Sequence, residues 1–509
     1  MNRSLRTLLS LTASALTLSA CVVGPNYKSP PAPEPASKAF VSPIGPAAVT
    51  DKPPPDWWRL YSDPAIDPLV QEALVHNKSL EVAAANLAEA RGALTLARAP
   101  LFPTNTVSAG AQYGVTSDSL LASELEHGKT PGPGWFYSLG LDASYEVDLF
   151  GRVRRGIQAA KADVQAQAAA VDAARISVAG ETTRAYLNAC AYTQELTVAQ
   201  QSLDVASQTY EITVRQARDG AGSDLDVARA REAVERVRST LPAFDANRRI
   251  ALFQLAVLTG QPPENISQAA DACKTPPQLT TLLPVGDLDS LFRRRPDVRQ
   301  AERQLAGDVA RIGVATADLF PTISIGANAG LGATTTSKLF QASSATYGIG
   351  PLLNWTFPNT LVAQGHIREA KAVAAASYAN FQGVVLQALQ DVESALTTYD
   401  DEIKRNAALV RVHDQSGVAF KLAQTQYNLG RIGYLDLLTA QNDLIGAGAD
   451  LAASDQALAS DQVTLFKALG GGWEQAPAVA APPAVDWTRK KGSAPSAVPS
   501  PLRRGNGEG

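Results

Sequence analysis

The sequence predicts a mixed α/β membrane protein made of two similar halves, each with one strand hairpin and one very long helix. Three observations lead to this fold class: an internal duplication, four segments in which apolar and polar residues alternate, and two long stretches without proline. The composition agrees, because hydrophobic residues make up 45% of the chain and aromatic residues only 6%. This balance favours closely packed helices over an aromatic-rich sheet core.

Short sequence anchors reveal the duplication. Leu-Phe-Pro-Thr occurs at residues 101–104 and again at 319–322, an offset of 218, whereas the region around Gly220 matches that around Gly430 at an offset of 210. A repeat of roughly 200 residues is too long for a solenoid unit, so we expect one pseudo-symmetric body. Its predicted parts are a first repeat at 56–260, a connector at 261–286 and a second repeat at 287–472.

The N-terminus has the features of a secretory signal. Basic residues and a short apolar stretch precede small residues, which predicts a signal peptide at 1–20. Residues 18–21, Leu-Ser-Ala-Cys, resemble a bacterial lipobox, and this resemblance implies that Cys21 is lipidated and begins the mature chain. Val22, where an inner-membrane retention signal would have Asp, implies the outer membrane. The alternative is a plain signal peptide followed by a chance cysteine.

Proline-rich segments flank the predicted body. Residues 21–55 are rich in Pro and Ala, and we expect a lipidated, extended tether there. Residues 473–509 combine Pro, Ala, Gly and charged residues, which predicts a disordered tail. Two further cysteines, Cys190 and Cys273, could form a disulfide in an oxidising envelope or remain two free thiols.

Four segments alternate between apolar and polar residues, as half-exposed strands do. They lie at 107–115 and 137–149 in the first half and at 323–331 and 347–357 in the second, where Pro351 interrupts the pattern. Each is about as long as a tilted membrane strand, and aromatic residues lie near the ends, as at a membrane interface. The alternation alone is equally compatible with a soluble four-stranded sheet.

The helices favour the membrane interpretation. Residues 152–219 and 360–429 contain no proline and predict helices of 68 and 70 residues, which would each be about 100 Å long. Such rods exceed any compact domain. Shorter helices predicted at 67–99, 224–259, 297–318 and 436–469 could stack end to end along them. Abundant alanine allows close approach of the backbones, as in a tunnel of coiled helices.

Four strands cannot close a membrane barrel. An open sheet edge in lipid would leave backbone N–H and C=O groups without partners, and the smallest membrane barrels have about eight strands. Several copies of the chain must therefore contribute strands. Three copies would form a twelve-stranded, trimeric barrel with a water-filled lumen.

Several motifs together are similar to those of one family. They are Cys-Val-Val-Gly-Pro-Asn-Tyr at 21–27, Trp-Trp-Arg-Leu-Tyr-Ser-Asp-Pro at 57–64, Tyr-Glu-Val-Asp-Leu-Phe-Gly-Arg at 145–152 and Arg-Arg-Pro-Asp-Val at 294–298. The chain resembles TolC-like outer-membrane efflux factors of the lipidated branch. This resemblance implies a homotrimer whose barrel lies in the outer membrane and whose helical tunnel crosses the periplasm. It further implies a periplasmic adaptor protein and an inner-membrane RND-type transporter as partners.

The resemblance also assigns residues to the periplasmic tip. It implies that the turns holding Gly220 and Gly222 in one half, and Gly430 and Gly433 in the other, form this tip, and we expect positive φ angles there. Asp226 and Asp436 match acidic aperture positions, which would attract cations in a ring of three copies. Thr439, where the family often has another acid, would weaken that ring. Each aspartate could instead complement the helix macrodipole.

Arg431 and Tyr434 lie beside the second turn. They could gate the tip or contact the adaptor, and we expect both to be exposed. Arg293 to Arg295 precede Pro-Asp at a predicted helix start, and we expect a structural role for this basic group.

Taken together, the resemblance implies a passive exit duct of a tripartite efflux pump for drugs, organic compounds or metal ions. A duct for type I protein secretion and a lipid-anchored trimeric scaffold are the alternatives. No basic stripe with interleaved aromatic residues suggests nucleic acid. No nucleophile elbow, phosphate loop or carboxylate dyad suggests an enzyme, and we expect neither a metal site nor a cofactor beyond the covalent lipid.

Overall fold

The computed structural model describes residues 22–31, 40–42, 48–49, 51–115, 132–279, 282–357 and 360–479. The predicted signal peptide, Cys21 and residues 480–509 of the predicted tail lie outside these ranges. Within them, no helix combines the length and apolar character that crossing a membrane requires.

Four antiparallel strands form one sheet, in the order β2 (Thr104–Gly114), β3 (Gly134–Val147), β5 (Thr322–Ala333) and β6 (Ala345–Asn354). All four segments predicted from alternation are therefore strands, and the last contains Pro351. Pro351 is tolerated because β6 is an edge strand.

The register of this sheet aligns the alternation of both hairpins. Val107, Leu141, Ala329 and Tyr347 lie opposite one another in one row across all four strands. The adjacent row consists of Thr106, Asp142, Asn328 and Gly348. Since successive residues of a strand point to opposite faces, one face of the sheet is apolar and the other polar. Among the described residues, no strand pairs with the outer edge of β2 or β6.

Two helices, α3 (Arg152–Arg218) and α9 (Thr360–Asn428), dominate the rest of the molecule. They have 67 and 69 residues, and each is about 100 Å long. Each long helix begins shortly after the second strand of a hairpin ends, which is the order of elements predicted from the sequence.

Shorter helices lie along these rods. They are α1 (Ile66–His76), α2 (Lys78–Arg98), α4 (Asp224–Arg238), α5 (Leu241–Leu258), α7 (Leu288–Arg294), α8 (Pro296–Ala317) and α10 (Tyr434–Ala468), with one short turn, α6 (Gln268–Asp271), in the connector. The helices α8 and α10 each pack against both long helices. The Arg294 guanidinium at the end of α7 donates to the carbonyl of Leu469 just after α10, so α8 and α10 follow one another along the rods.

Two predicted helices are each divided in two, which corrects their expected continuity. Asn77 separates α1 from α2 because its backbone is extended, and its side chain accepts hydrogen bonds from the amides of Ser79 and Leu80. In the second case, Ser239 and Thr240 separate α4 from α5, and Pro242 lies in the first turn of α5.

The main core lies where the two sets of helices meet. Trp57 is 1% exposed and stacks on Phe466 of α10 at 4.5 Å between ring centroids. Around this pair, the buried surface of α3 is rich in alanine, for example Ala179, Ala185 and Ala189. Small side chains allow the close helix packing that the composition predicted.

The segment predicted as a free tether instead lies against the body. The amide of Val23 donates to the carbonyl of Phe150, and Arg155 of α3 binds the carbonyls of Val23 and Gly24. A Cβ on Gly24 would lie 2.4 Å from the Cα of Gly313, so only glycine fits this close approach. Further along, β1 (Ala48–Val49) pairs in parallel with β4 (Leu283–Pro284) of the connector.

The structure decides between the two alternatives for the cysteines. Cys190 of α3 forms a disulfide with Cys273, with 5.1 Å between the Cα atoms.

The tail was expected to be disordered from residue 473, but residues 473–479 lie on the body. The indole of Trp473 donates to the carbonyl of Arg294, and Arg299 lies over its ring. Ala476 and Val479 pack against the core, so apolar contacts hold this part in place.

Candidate functional site

The turn after each long helix reverses the chain by the same backbone device. Gly220 and Gly430 follow α3 and α9 with φ angles of 77° and 66°. The next amides, of Ala221 and Arg431, donate to the carbonyls five residues earlier, which closes a Schellman motif. Only glycine adopts this left-handed backbone without strain.

The other two glycines of these turns do not have the expected positive φ. Gly433 has a φ of −78° and caps the N-terminus of α10. Gly222 is not in the left-handed region either. Its constraint is spatial, because a Cβ there would lie 3.2 Å from the amide nitrogen of Ala217. The expectation therefore holds for Gly220 and Gly430 and is wrong for Gly222 and Gly433.

Asp226 and Asp436 occupy equivalent positions in the first turns of α4 and α10. Asp226 accepts hydrogen bonds from the amide and the hydroxyl of Ser223, at 3.2 and 2.7 Å. Asp436 accepts one from the amide of Gly433 at 3.2 Å. Both carboxylates thus cap their own helices, where the macrodipole favours negative charge. A capping carboxylate also keeps a fixed position, which a charged ring requires.

Tyr434 is buried, which corrects the expectation that it is exposed. It is 4% exposed and packs in a cluster with Ala230, Phe420, Tyr427 and Leu437. Ala230 belongs to α4, so the cluster joins the turns of both halves. The hydroxyl of Tyr434 has no hydrogen-bond partner among the described residues. Arg431 is exposed, as expected.

The electrostatic surroundings of Tyr434 also connect the two turns. Burial raises the pKa of Tyr434 to about 12, and the nearby Tyr427 and Asp226 add to the shift. A second contact joins the long helices at this end, because the Gln216 amide donates to the carbonyl of Tyr427 at 3.2 Å. The structure therefore brings Ala230 and Tyr434 into one cluster, although they are far apart in sequence.

A charged junction joins the sheet to α3. The Asp148 carboxylate accepts from the amides of Val153 and Arg154 and so caps α3. Arg152 pairs with Glu146 at 2.5 Å, and Arg154 pairs with Asp148 at 3.1 Å. Glu146, Asp148 and Arg152 belong to the motif at 145–152, and Val153 and Arg154 follow it directly. Their role in fixing the direction of a long helix could have been read from the acidic residues just before its start.

A second buried charge cluster lies at the start of α8. Arg295 is 8% exposed and pairs with Asp297 at 2.6 Å and Asp391 at 2.9 Å. Its guanidinium also donates to the carbonyl of Ala468 at the end of α10. Arg295 therefore ties α8, α9 and α10 together, which is the structural role expected of this basic group. Among the described residues, no group of three or more His, Cys, Asp or Glu could hold a metal ion.

Comparison with known proteins shows that most of the chain is similar to one family. The model of the outer membrane efflux protein family matches residues 69–261 and 288–471. Nodulation protein T of Rhizobium leguminosarum bv. viciae is 30% identical over 484 residues, which cover 93% of this chain and 95% of that protein. The toluene efflux pump outer membrane protein TtgC of Pseudomonas putida is 29% identical over 475 residues, covering 92% and 96%.

Solved structures show the same similarity. The outer-membrane channel OprN matches with a TM-score of 0.82 and 30% identity, over 89% of this chain and all of that chain. The open state of the Neisseria gonorrhoeae MtrE outer membrane channel matches with a TM-score of 0.75 and 26% identity, over 89% and 99%.

Proposed function

Because this chain belongs to the outer membrane efflux protein family and has its TolC-like fold, we propose that it is the exit duct of a tripartite efflux pump. Three copies would form a twelve-stranded barrel in the outer membrane and a helical tunnel below it. An inner-membrane RND-type transporter and a periplasmic adaptor would deliver the substrate. The duct itself would conduct passively and carry out no catalysis.

The register of the sheet is the observation that carries this proposal. Its polar rows can line a wet lumen, whereas its apolar rows can face lipid. The exposed apolar residues support this division, since Val107 and Tyr347 are 74% and 88% exposed in the single chain. The open edges of β2 and β6 require partners, which neighbouring copies would supply.

Adjacent residues on opposite faces of β5 allow a direct test. Ala329 lies in the apolar row and Asn328 in the polar row, and both are exposed in the single chain. We expect Ala329→Arg to impair insertion, since a lipid-facing arginine near the midplane costs about 2–4 kcal/mol. Asn328→Arg should insert normally and alter single-channel conductance in planar bilayers. Equal insertion of both variants, or a folded trimer without conductance, would refute the duct and favour a scaffold.

The inner-membrane transporter would select the substrate that the duct conducts. We propose that this substrate is a small organic compound. Support comes from the similarity to TtgC, whose name assigns it to a toluene efflux pump. Expression in a host that lacks its own outer-membrane duct, together with a matching pump and adaptor, should lower intracellular accumulation of a fluorescent organic substrate. Unchanged accumulation despite trimers in the outer membrane would contradict this cargo.

We also propose that Cys21 carries lipid and that the turns of Asp226 and Asp436 form the periplasmic aperture. The support for lipidation is the lipobox at 18–21, followed at once by the segment that lies against α3. Labelling cells with radioactive palmitate should mark the parent protein and not Cys21→Ala. Absence of label on the parent protein would exclude the anchor.

A further inference from the structure

A cleft of about 410 Å³ lies over α3 where α4 ends and α5 begins, with α10 on its other side. It is separate from the sheet and from the two turns. Most of its lining is apolar, and includes Val198, Val237, Phe244 and Ile445. Its volume falls within the roughly 300–1,000 Å³ typical of small-molecule sites.

Glu195 of α3 lines this cleft and is 8% exposed. It forms no hydrogen bond or ion pair with any other described residue, and burial alone raises its pKa. A buried carboxylate normally has a cationic or hydrogen-bonding partner, because removing a charge from water is costly. The cleft therefore presents an acidic group that no described residue pairs with, among mostly apolar side chains.

The other charged residues of the cleft do not neutralise Glu195. Arg236 of α4 lines the cleft, but its guanidinium is already bound to Glu232, with Nε at 3.0 Å from the carboxylate. Asp450 of α10 also lines the cleft and is exposed, which adds a second negative charge. Glu195 and Asp450 therefore make the cleft net negative, which favours a cationic ligand, and the single buried carboxylate of Glu195 fits one ammonium group.

We propose that this cleft binds a small hydrophobic monocation, such as an arylalkyl ammonium ion. Its ammonium group pairs with Glu195 and donates a charge-assisted hydrogen bond. Its aromatic body packs against Val198, Val237 and Phe244, where removal of apolar surface from water stabilises the complex. The anionic carboxylate and the apolar walls together select against neutral and anionic compounds of the same shape.

The test uses three probes that differ only in the polar group: 2-naphthylmethylammonium, 2-naphthylmethanol and 2-naphthylacetate. Binding to the full chain in amphipol is measured by calorimetry at neutral pH. We expect the ammonium to bind roughly tenfold or more tighter than the alcohol, because a hydrogen bond to a charged group is stronger than one between neutral groups. The acetate should bind weakest.

Glu195→Gln should abolish the preference for the ammonium, since it keeps the shape of the side chain and removes the charge. Glu235→Gln is the matched control, because Glu235 is exposed, pairs with Arg238 and does not line the cleft. Phe244→Ala should weaken all three probes. Equal affinity for the three probes, or a preference that persists in Glu195→Gln, would overturn the site. None of these outcomes depends on channel conductance, so the proposed duct function stands or falls separately.

Discussion

Tyr434 lies edge-on to Tyr427, with 6.1 Å between the ring centroids, and this contact joins the start of α10 to the end of α9. Ala230 of α4 belongs to the same cluster. The turn that follows α3 and the turn that follows α9 are therefore linked through this cluster. A movement of the start of α10 away from α9 and α4 must therefore break contacts of Tyr434 in both halves.

Tyr434→Ala should loosen this end of the molecule. Truncating a buried aromatic side chain costs about 3–5 kcal/mol, and the cluster would lose its link between the turns. We expect more frequent openings in single-channel recordings and a lower unfolding temperature. Tyr434→Phe is the control, because it keeps the ring and removes a hydroxyl that has no partner among the described residues. It should leave both properties unchanged or raise the unfolding temperature. Equal effects of Ala and Phe would contradict this packing role.

The burial of Tyr434 could not be read from the sequence. The residue follows a Gly-rich turn with Arg431 beside it, a local pattern that favours exposure. The side chains that cover it, Ala230 and Phe420, come from other helices. The sequence did predict the strands, because their period of two is a local property, and the long helices, because no proline interrupts them.

Helix breaks were missed for a different reason. Strong helix formers surround Asn77 and Pro242, and the summed helix propensity of these neighbours outweighed the signal of a single N-cap residue or proline. The local signals were nevertheless present, since Asn is a favoured N-cap and Pro is favoured in a first helical turn. Contacts of the segment at 22–31 were beyond prediction, because Arg155 and Gly313 become its neighbours only after folding.

Asp436→Asn and Asp226→Asn should each weaken block of the channel by a trivalent cation such as lanthanum. Each substitution would remove three charges from a ring of three copies, and an attraction of this kind depends on charge. The amide oxygen of Asn can still accept the capping hydrogen bond, so stability should change little. Asp414→Asn, at an exposed position of α9 away from the turns, should leave the block unchanged. Unaltered block in both turn variants would exclude the acidic ring.

Arg295→Met should destabilise the chain by about 3 kcal/mol, because it leaves Asp297 and Asp391 without their shared cation. It also removes the donor to the carbonyl of Ala468 at the end of α10. Arg405→Met is a suitable comparison, since the Arg405 side chain is 51% exposed and, in the described part of the chain, pairs only with Glu402 one helix turn away. That variant should lose less than about 1 kcal/mol. Urea unfolding followed by circular dichroism measures both, and similar losses would contradict the structural role of Arg295.

Reduction of the Cys190–Cys273 disulfide should destabilise the chain by roughly 2–4 kcal/mol, because the bond closes a long loop. The two cysteines are 83 residues apart, and the bond holds the connector on α3. The double variant Cys190→Ala, Cys273→Ala should show the same loss without reductant and no further loss with it. Addition of dithiothreitol to the parent protein should reproduce the variant. An unchanged unfolding midpoint after verified reduction would rule out a stabilising role.

Glu195→Gln should stabilise the ligand-free protein at neutral pH, although it removes the proposed ligand-binding charge. Burial raises the pKa of Glu195 in the folded chain, whereas the unfolded chain ionises it at the ordinary value. The folded chain therefore holds the proton more tightly. The contribution of Glu195 to stability falls as the pH rises from the unfolded pKa through the folded one. Below the unfolded pKa, the variant and the parent protein should have equal unfolding temperatures. Arg236 and Asp450 also line the cleft, and the interaction of their charges with Glu195 is lost in the variant and forms part of the difference. A difference that stays constant with pH would show that Glu195 is not buried as a charge, and would remove the basis for cation selection in the cleft.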